Sequence, residues 1–127
     1  MGAQNVKIRL ERAVDCEDVK AVEQILDKYP DVLNQPFHED GVFNIGTRAA
    51  WRGDLKMLQM FHRRGGELNK PGNKPFPYFK VNEGYPPIMW VAIRGYLNCL
   101  EWLVEEVKVE YNICDSEGLT PLDNAVI

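Results

Sequence analysis

Gly118-Leu119-Thr120-Pro121-Leu122-Asp123-Asn124-Ala125 is the stretch on which the reading of this chain turns. Gly118 tolerates the backbone angles of a tight turn. Thr120 is suited to cap a helix, because its hydroxyl accepts from a free amide of the first turn. Pro121 suits the first helical position, where an N–H would have no partner anyway. Asp123 stands three residues after the cap, in the capping-box position, and its charge favours a helix N-terminus. The octapeptide predicts a turn that starts a helix.

Self-comparison extends this reading across the chain. The segment from Ala50 to Phe61 aligns with the segment from Ala92 to Leu103, and both read Ala-x-Arg-Gly-x-Leu-x-x-Leu-x-x-(Phe/Leu). Their glycines, Gly53 and Gly95, are 42 residues apart. A weaker copy begins at Ala13-Val14-Asp15-Cys16, continues through Asp18 to Leu26 and closes at Asp31-Val32-Leu33-Asn34. In that copy Cys16 is read in the glycine slot, with one extra residue after it. Each copy predicts two short antiparallel helices. The first ends at its glycine, and Asp18 or Asp54 caps the second, a role Tyr96 cannot fill. Apolar residues recur at helical spacing in the second helices: Val19, Val22, Ile25 and Leu26; Leu55, Leu58 and Phe61; Leu97, Leu100, Leu103 and Val104. One such pair cannot bury its apolar stripe alone, whereas stacked neighbours can.

Gly-x-Thr-Pro-Leu-x-x-Ala at 118–125 resembles the opening signature of an ankyrin repeat, and Gly65-Gly66-Glu67-Leu68-Asn69 resembles its close. Gly84 to Ala92 holds the signature slot one repeat earlier, with Pro86 for the capping Thr and Ile88 for Leu. Gly84 and Gly118 are 34 residues apart, near the ankyrin period of about 33. In the copy before that, the slot holds Asn44 to Ala50, where only the Ala-Ala pair survives. The resemblance implies a single all-α domain over 1–127, an ankyrin-repeat solenoid of stacked helix-turn-helix units with hairpin loops. Its repeats are expected at about 5–36, 37–70 and 83–115, with a partial one at 116–127. An insertion at 71–82 carries three prolines, with Phe76, Tyr78 and Phe79 set among lysines.

The resemblance implies a binding scaffold rather than a catalyst. By position, Trp51 and Arg52, then Ile93 and Arg94, fall at equivalent places on the concave face, with Val14 and Asp15 in those slots of the first copy. Tyr85 and Leu119 follow turn glycines at the hairpin base. Trp51, Arg52, Tyr85, Ile93 and Arg94 are the expected partner-binding residues, joined by Phe76, Tyr78 and Phe79 of the loop at 71–83. Arg and aromatic side chains dominate interface hot spots, and the arginines suit a partner protein with an acidic segment. The expected function is that of a non-catalytic adaptor or inhibitor. The alternative is a structural subunit embedded in a larger assembly.

Composition excludes several other classes. With 127 residues, 45% of them hydrophobic, the chain can build one globular domain. Its net charge of −4 disfavours nucleic acid. No apolar run approaches the ~18 residues of a membrane span. Met1 to Glu11 has no apolar leader core, and Cys16, Cys99 and Cys114 form no disulfide framework, so a reducing intracellular, cytoplasmic setting is expected. Cys16 and Cys99 are expected to be buried as small hydrophobes. His38 and His62 have no zinc spacing, and His62 is expected to be a partly buried structural residue. Ser116 is the only serine, and there is no phosphate-binding glycine loop, so neither catalysis nor a metal or other cofactor is expected. Glu39 and Asp40, like Glu105 and Glu106, are expected to be solvated.

Overall fold

The computed structural model describes residues 3–38, 42–69, 85–111, 113–114 and 117–125. Its helices are α1 (Ala3–Asp15), α2 (Val19–Lys28), α3 (Ile45–Arg52), α4 (Leu55–Arg63), α5 (Pro87–Arg94), α6 (Leu97–Trp102) and α7 (Pro121–Ala125). A 3₁₀ turn at Pro30–Val32 follows α2, and a π-helical turn at Leu103–Val107 extends α6. No strand occurs among the described residues. α1, α3, α5 and α7 pack in a row as an inner layer. α2, α4 and α6 each fold back against their own inner helix, and α2 also touches α4. The architecture is an all-α stack of antiparallel helix pairs, as the repeat pattern predicts.

The octapeptide behaves as its chemistry demands. Gly118 has φ +81°. The Asp123 N–H donates to Thr120 Oγ1 at 3.1 Å, and the Thr120 N–H donates to the Asp123 carboxylate at 3.0 Å. Pro121 is buried at the start of α7. The start of α3 reaches the same device with other residues. The Thr47 N–H donates to Asn44 Oδ1 at 2.9 Å, and the Asn44 N–H donates to Thr47 Oγ1 at 2.8 Å. Asn44 thus does there what Thr120 does at α7. Pro86 starts α5 with no side-chain cap.

Each of α1, α3 and α5 ends in the same pair of hydrogen bonds. Asp18, Asp54 and Tyr96 donate their N–H to the carbonyls of Ala13, Ala49 and Val91 at 3.0, 2.9 and 2.9 Å. Glu17, Gly53 and Gly95 donate to Val14, Ala50 and Ala92 at 3.0, 3.1 and 3.3 Å. This six-to-one, five-to-two pattern requires a left-handed residue just past the helix. Gly53 (φ +74°) and Gly95 (φ +78°) fill that place, and so does Glu17 (φ +57°). The register expected for the first copy is therefore corrected by one residue. Glu17, not Cys16, stands in the glycine slot, and there is no extra residue. Asp15 and Cys16, rather than Val14 and Asp15, correspond to Trp51 and Arg52. The next residue caps the outer helix, with Asp18 accepting from the Ala21 N–H at 3.1 Å and Asp54 from the Met57 N–H at 3.2 Å. Tyr96 makes no such bond.

The core lies between the layers. Val22, Ile25, Leu26, Leu58, Phe61, Leu100 and Leu103 are buried as their spacing predicts, and Met57, Met60 and Cys99 join them. The first residue of each outer helix does not follow the pattern. Val19 and Leu55 are half-buried, and Leu97 is 61% exposed. The Phe61 ring sits where a Cβ on Gly46 or Gly66 would lie 2.6 or 2.5 Å from it, so both positions must lack a side chain. The asparagines that close successive copies tie neighbours together. The Glu67 N–H donates to Asn34 Oδ1 at 2.8 Å, and the Glu110 N–H to Asn69 Oδ1 at 2.7 Å.

Two expectations of burial fail. Cys16 is exposed: the corrected register puts it just before the left-handed residue, in the place of Arg52 and Arg94 rather than of a glycine. His62 is exposed on α4, with its ring edge-on to Trp102 at 5.7 Å. Glu105 and Glu106 are exposed as expected. Glu39, Asp40, the 71–83 insertion, Ser116, Val126 and Ile127 lie outside the described residues.

Two measurements probe this framework. A Cβ on Gly53 would lie 2.7 Å from the Tyr96 ring, whereas one on Gly95 would meet nothing within 4 Å. Gly95→Ala should then cost about 1 kcal/mol for its left-handed backbone alone. Gly53→Ala should cost about 1–3 kcal/mol more for the ring it displaces. Equal losses in urea unfolding would show that Tyr96 yields freely. The second concerns Cys99, whose thiol burial pushes up to about 11 from 9.0, with the Asp54 charge acting in the same direction. A raised folded pKa favours the neutral thiol, so stability is full below pH 9 and falls as pH climbs through about 11. The loss should reach about 2–3 kcal/mol. Cys99→Ala should fall less between those pH values, and parallel declines would contradict a buried neutral thiol.

Candidate binding surface

The inner helices present one continuous side-chain cluster. Arg48 and Trp51 lie three residues apart on α3 and so share a face. Arg48 reaches back to α1, donating from Nε to Asp15 Oδ1 at 2.7 Å and from Nη2 to Oδ2 at 3.2 Å. This two-pronged geometry neutralises the guanidinium and orients it. Its Cζ also lies 4.9 Å from the Phe43 ring centroid and 4.7 Å from that of Trp51. Arg94, at the end of α5, approaches Trp51 as well, with Cζ 4.4 Å from the centroid. Its Nε donates to Tyr96 Oη at 3.4 Å.

Aromatic rings connect the two arginines. Phe43 meets Trp51 edge-on at 6.1 Å and stacks on Trp90 at 5.5 Å with 30° between planes. Tyr85 meets Trp90 edge-on at 5.3 Å. Such pairs contribute about 0.5–1.5 kcal/mol each beyond simple burial. Together Phe43, Trp51, Trp90, Ile93 and Arg94 line an open groove of about 420 Å³. Trp90 forms a buried part of its wall, and its indole N–H has no hydrogen-bond partner among the described residues. Ile93 is 39% exposed.

The two arginines equated by sequence are not equivalent in space. Arg52 lies with Nη2 4.0 Å from Glu17 Oε2, and its Nε is buried without a partner among the described residues. Arg94 pairs with no carboxylate among the described residues. The difference lies in the preceding turn. Arg52 has Glu17 in the left-handed position of the neighbouring turn, whereas Arg94 has Gly53 there and so meets Trp51 and Tyr96 instead. Asp54, which caps α4 beside this cluster, has its carboxyl raised above the usual range, first by burial and then by the Glu17 charge. The Met57 hydrogen bond and the Arg52 charge oppose that rise.

Of the residues expected to bind, Trp51, Ile93 and Arg94 come together at the groove, and Arg52 does not line it. Tyr85 is only 3% exposed and packs edge-on against Trp90, so it offers almost no surface. Leu119 is half-buried. Phe76, Tyr78 and Phe79 lie outside the described residues. Phe43, Arg48 and Trp90 were not anticipated, although a signal exists for them. Phe43 and Tyr85 each precede a helix start, and they are 42 residues apart, as are Arg48 and Trp90. Extending the self-comparison upstream of Ala50 and Ala92 would have exposed both columns.

Among the described residues no three metal-binding side chains cluster, and no helix is long and apolar enough to cross a membrane. A family model described as ankyrin repeats (3 copies) matches residues 47–127, from within α3 onward. α1 and α2 precede that match, yet their turn makes the hydrogen bonds of the two matched turns. The chain belongs to the ankyrin-repeat family.

Proposed function

We propose that this protein is a non-catalytic adaptor or inhibitor that holds a partner protein on its inner-helix face, centred on the groove between Trp51 and Trp90. Ankyrin repeats are generally protein–protein interaction modules. The observation that carries the reading is Arg94, stacked on Trp51 beside the exposed Ile93 and free of any acidic partner among the described residues. Stacking reduces the conformational freedom that a long side chain loses on binding. An acidic segment of the partner would supply the missing carboxylate.

The loop at 71–83, with Phe76, Tyr78 and Phe79, is proposed to extend this surface, because insertions between repeats commonly serve the binding face. Residues 5–36 are proposed as a full first repeat, followed by 37–70, 83–115 and a partial repeat at 116–127. The free thiols of Cys16, Cys99 and Cys114 suit a reducing, cytoplasmic compartment.

Affinity capture from the source cell, read by mass spectrometry, tests the surface with paired variants. Arg94→Gln should reduce partner recovery by about tenfold, the effect expected of a modest hot spot. Arg52→Gln should leave recovery within about threefold, since that guanidinium is engaged by Glu17. Both should melt within a few degrees of the parent, as expected for surface changes of under about 1 kcal/mol. Equal recovery with Arg94→Gln, in a protein that melts normally, would remove the groove from the binding surface.

A further inference from the structure

We infer that the groove between Trp51 and Trp90 accepts a linear peptide segment in which an acidic residue lies one or two positions from a single large apolar side chain, and that Asp15, by pairing Arg48, leaves Arg94 as the unpaired one of the two arginines at Trp51. The inference rests on the inner-face reading above and specifies what that face recognises.

The charges decide the first half. Two guanidinium groups flank Trp51, at 4.7 and 4.4 Å from its centroid. Arg48 is matched by Asp15 through two hydrogen bonds. Arg94 spends its Nε on Tyr96, and its terminal nitrogens have no hydrogen-bond partner among the described residues. A planar fork held against an indole is suited to a carboxylate. An aromatic groove could in principle hold a cation, such as a lysine or a methylated ammonium. Here Arg94 already lies against Trp51 with no carboxylate partner among the described residues, so a cationic ligand would meet like charge. A phosphate polymer needs several unpaired cations in a row. Among the described residues the groove offers one, Arg94, on a chain of net charge −4.

The walls decide the second half. Phe43, Trp51, Trp90 and Ile93 supply apolar surface around a space of about 420 Å³. That is at the small end of the range for binding pockets, about 300–1,000 Å³, and suits one large side chain rather than several. Arg94 belongs to the same lining, so the carboxylate and the apolar side chain must be near neighbours on the ligand. In an extended segment, residues two apart share a face about 6–7 Å apart.

Asp15 controls how much charge the site shows. Replacing its carboxylate by an amide leaves Arg48 within cation–π distance of Phe43 and Trp51 while removing its counter-ion. A second unpaired guanidinium would then stand against Trp51 together with that of Arg94, and a ligand with two acidic residues would gain.

Selection of short random linear peptides displayed on phage against the full chain tests this. The selected peptides should carry Asp or Glu within two positions of Leu, Ile, Met, Phe or Trp. For one selected peptide made synthetically, changing its acidic residue to the amide should weaken calorimetric binding by about tenfold, and Arg94→Gln should do the same. The two changes together should cost little more than either alone, because they remove one interaction. Asp15→Asn should tighten binding of a doubly acidic version of the peptide severalfold. Peptides without the acidic–apolar pattern, fully additive losses in that cycle, or no enrichment at all would each overturn the recognition rule. Unchanged binding in Asp15→Asn would overturn the role of Asp15. Amide exchange separates this inference from the one beneath it. If peptides lacking the pattern still protect α3 and α5, the inner face stands and the recognition rule falls. If protection lies on α2, α4 and α6 instead, both fall.

Discussion

A left-handed residue just past each of α1, α3 and α5, closed by two hydrogen bonds to the last turn, is the constraint on which the rest of this structure depends. It reverses the chain, so that α2, α4 and α6 return against α1, α3 and α5. It also places the next residue where Asp18 or Asp54 can cap the returning helix. Because the closure recurs with the same bonds, it brings the inner helices into common register. Side chains at matching positions then form columns across the stack: Arg12, Arg48 and Trp90; Asp15, Trp51 and Ile93; Cys16, Arg52 and Arg94. The site is a consequence of those columns. Arg48 can bond Asp15, and Arg94 can stack on Trp51, only because each reaches one repeat back along the row.

The same position also accounts for the asymmetry of the two arginines. Where the left-handed residue is Glu17, a carboxylate stands within 4.0 Å of Arg52. Where it is Gly53, a Cβ would lie 2.7 Å from the Tyr96 ring, and no charge is available. A residue chosen for backbone geometry thus determines which guanidinium is left for a partner. Glu17 takes a conformation that costs a non-glycine residue about 1–2 kcal/mol. Its ion pair, in a partly exposed setting, offsets at most part of that cost.

The sequence by itself determined the class and much of the scaffold, because those depend on local chemistry. Gly118, Thr120, Pro121 and Asp123 announce a turn and a capped helix without any neighbour. Gly53 and Gly95 mark the ends of inner helices, and periodic Leu and Phe mark the buried stripe of outer ones. The tertiary structure decided the register of the first pair, since Cys16 and Glu17 are both imperfect substitutes for glycine and only the hydrogen bonds choose between them. It likewise decided that Tyr85 is buried against Trp90, that Cys16 and His62 face solvent, and that Arg94 rather than Arg52 lines the groove. Burial and charge pairing depend on what the neighbouring repeat places opposite a residue. That neighbour lies dozens of positions away in sequence, beyond the reach of any local pattern.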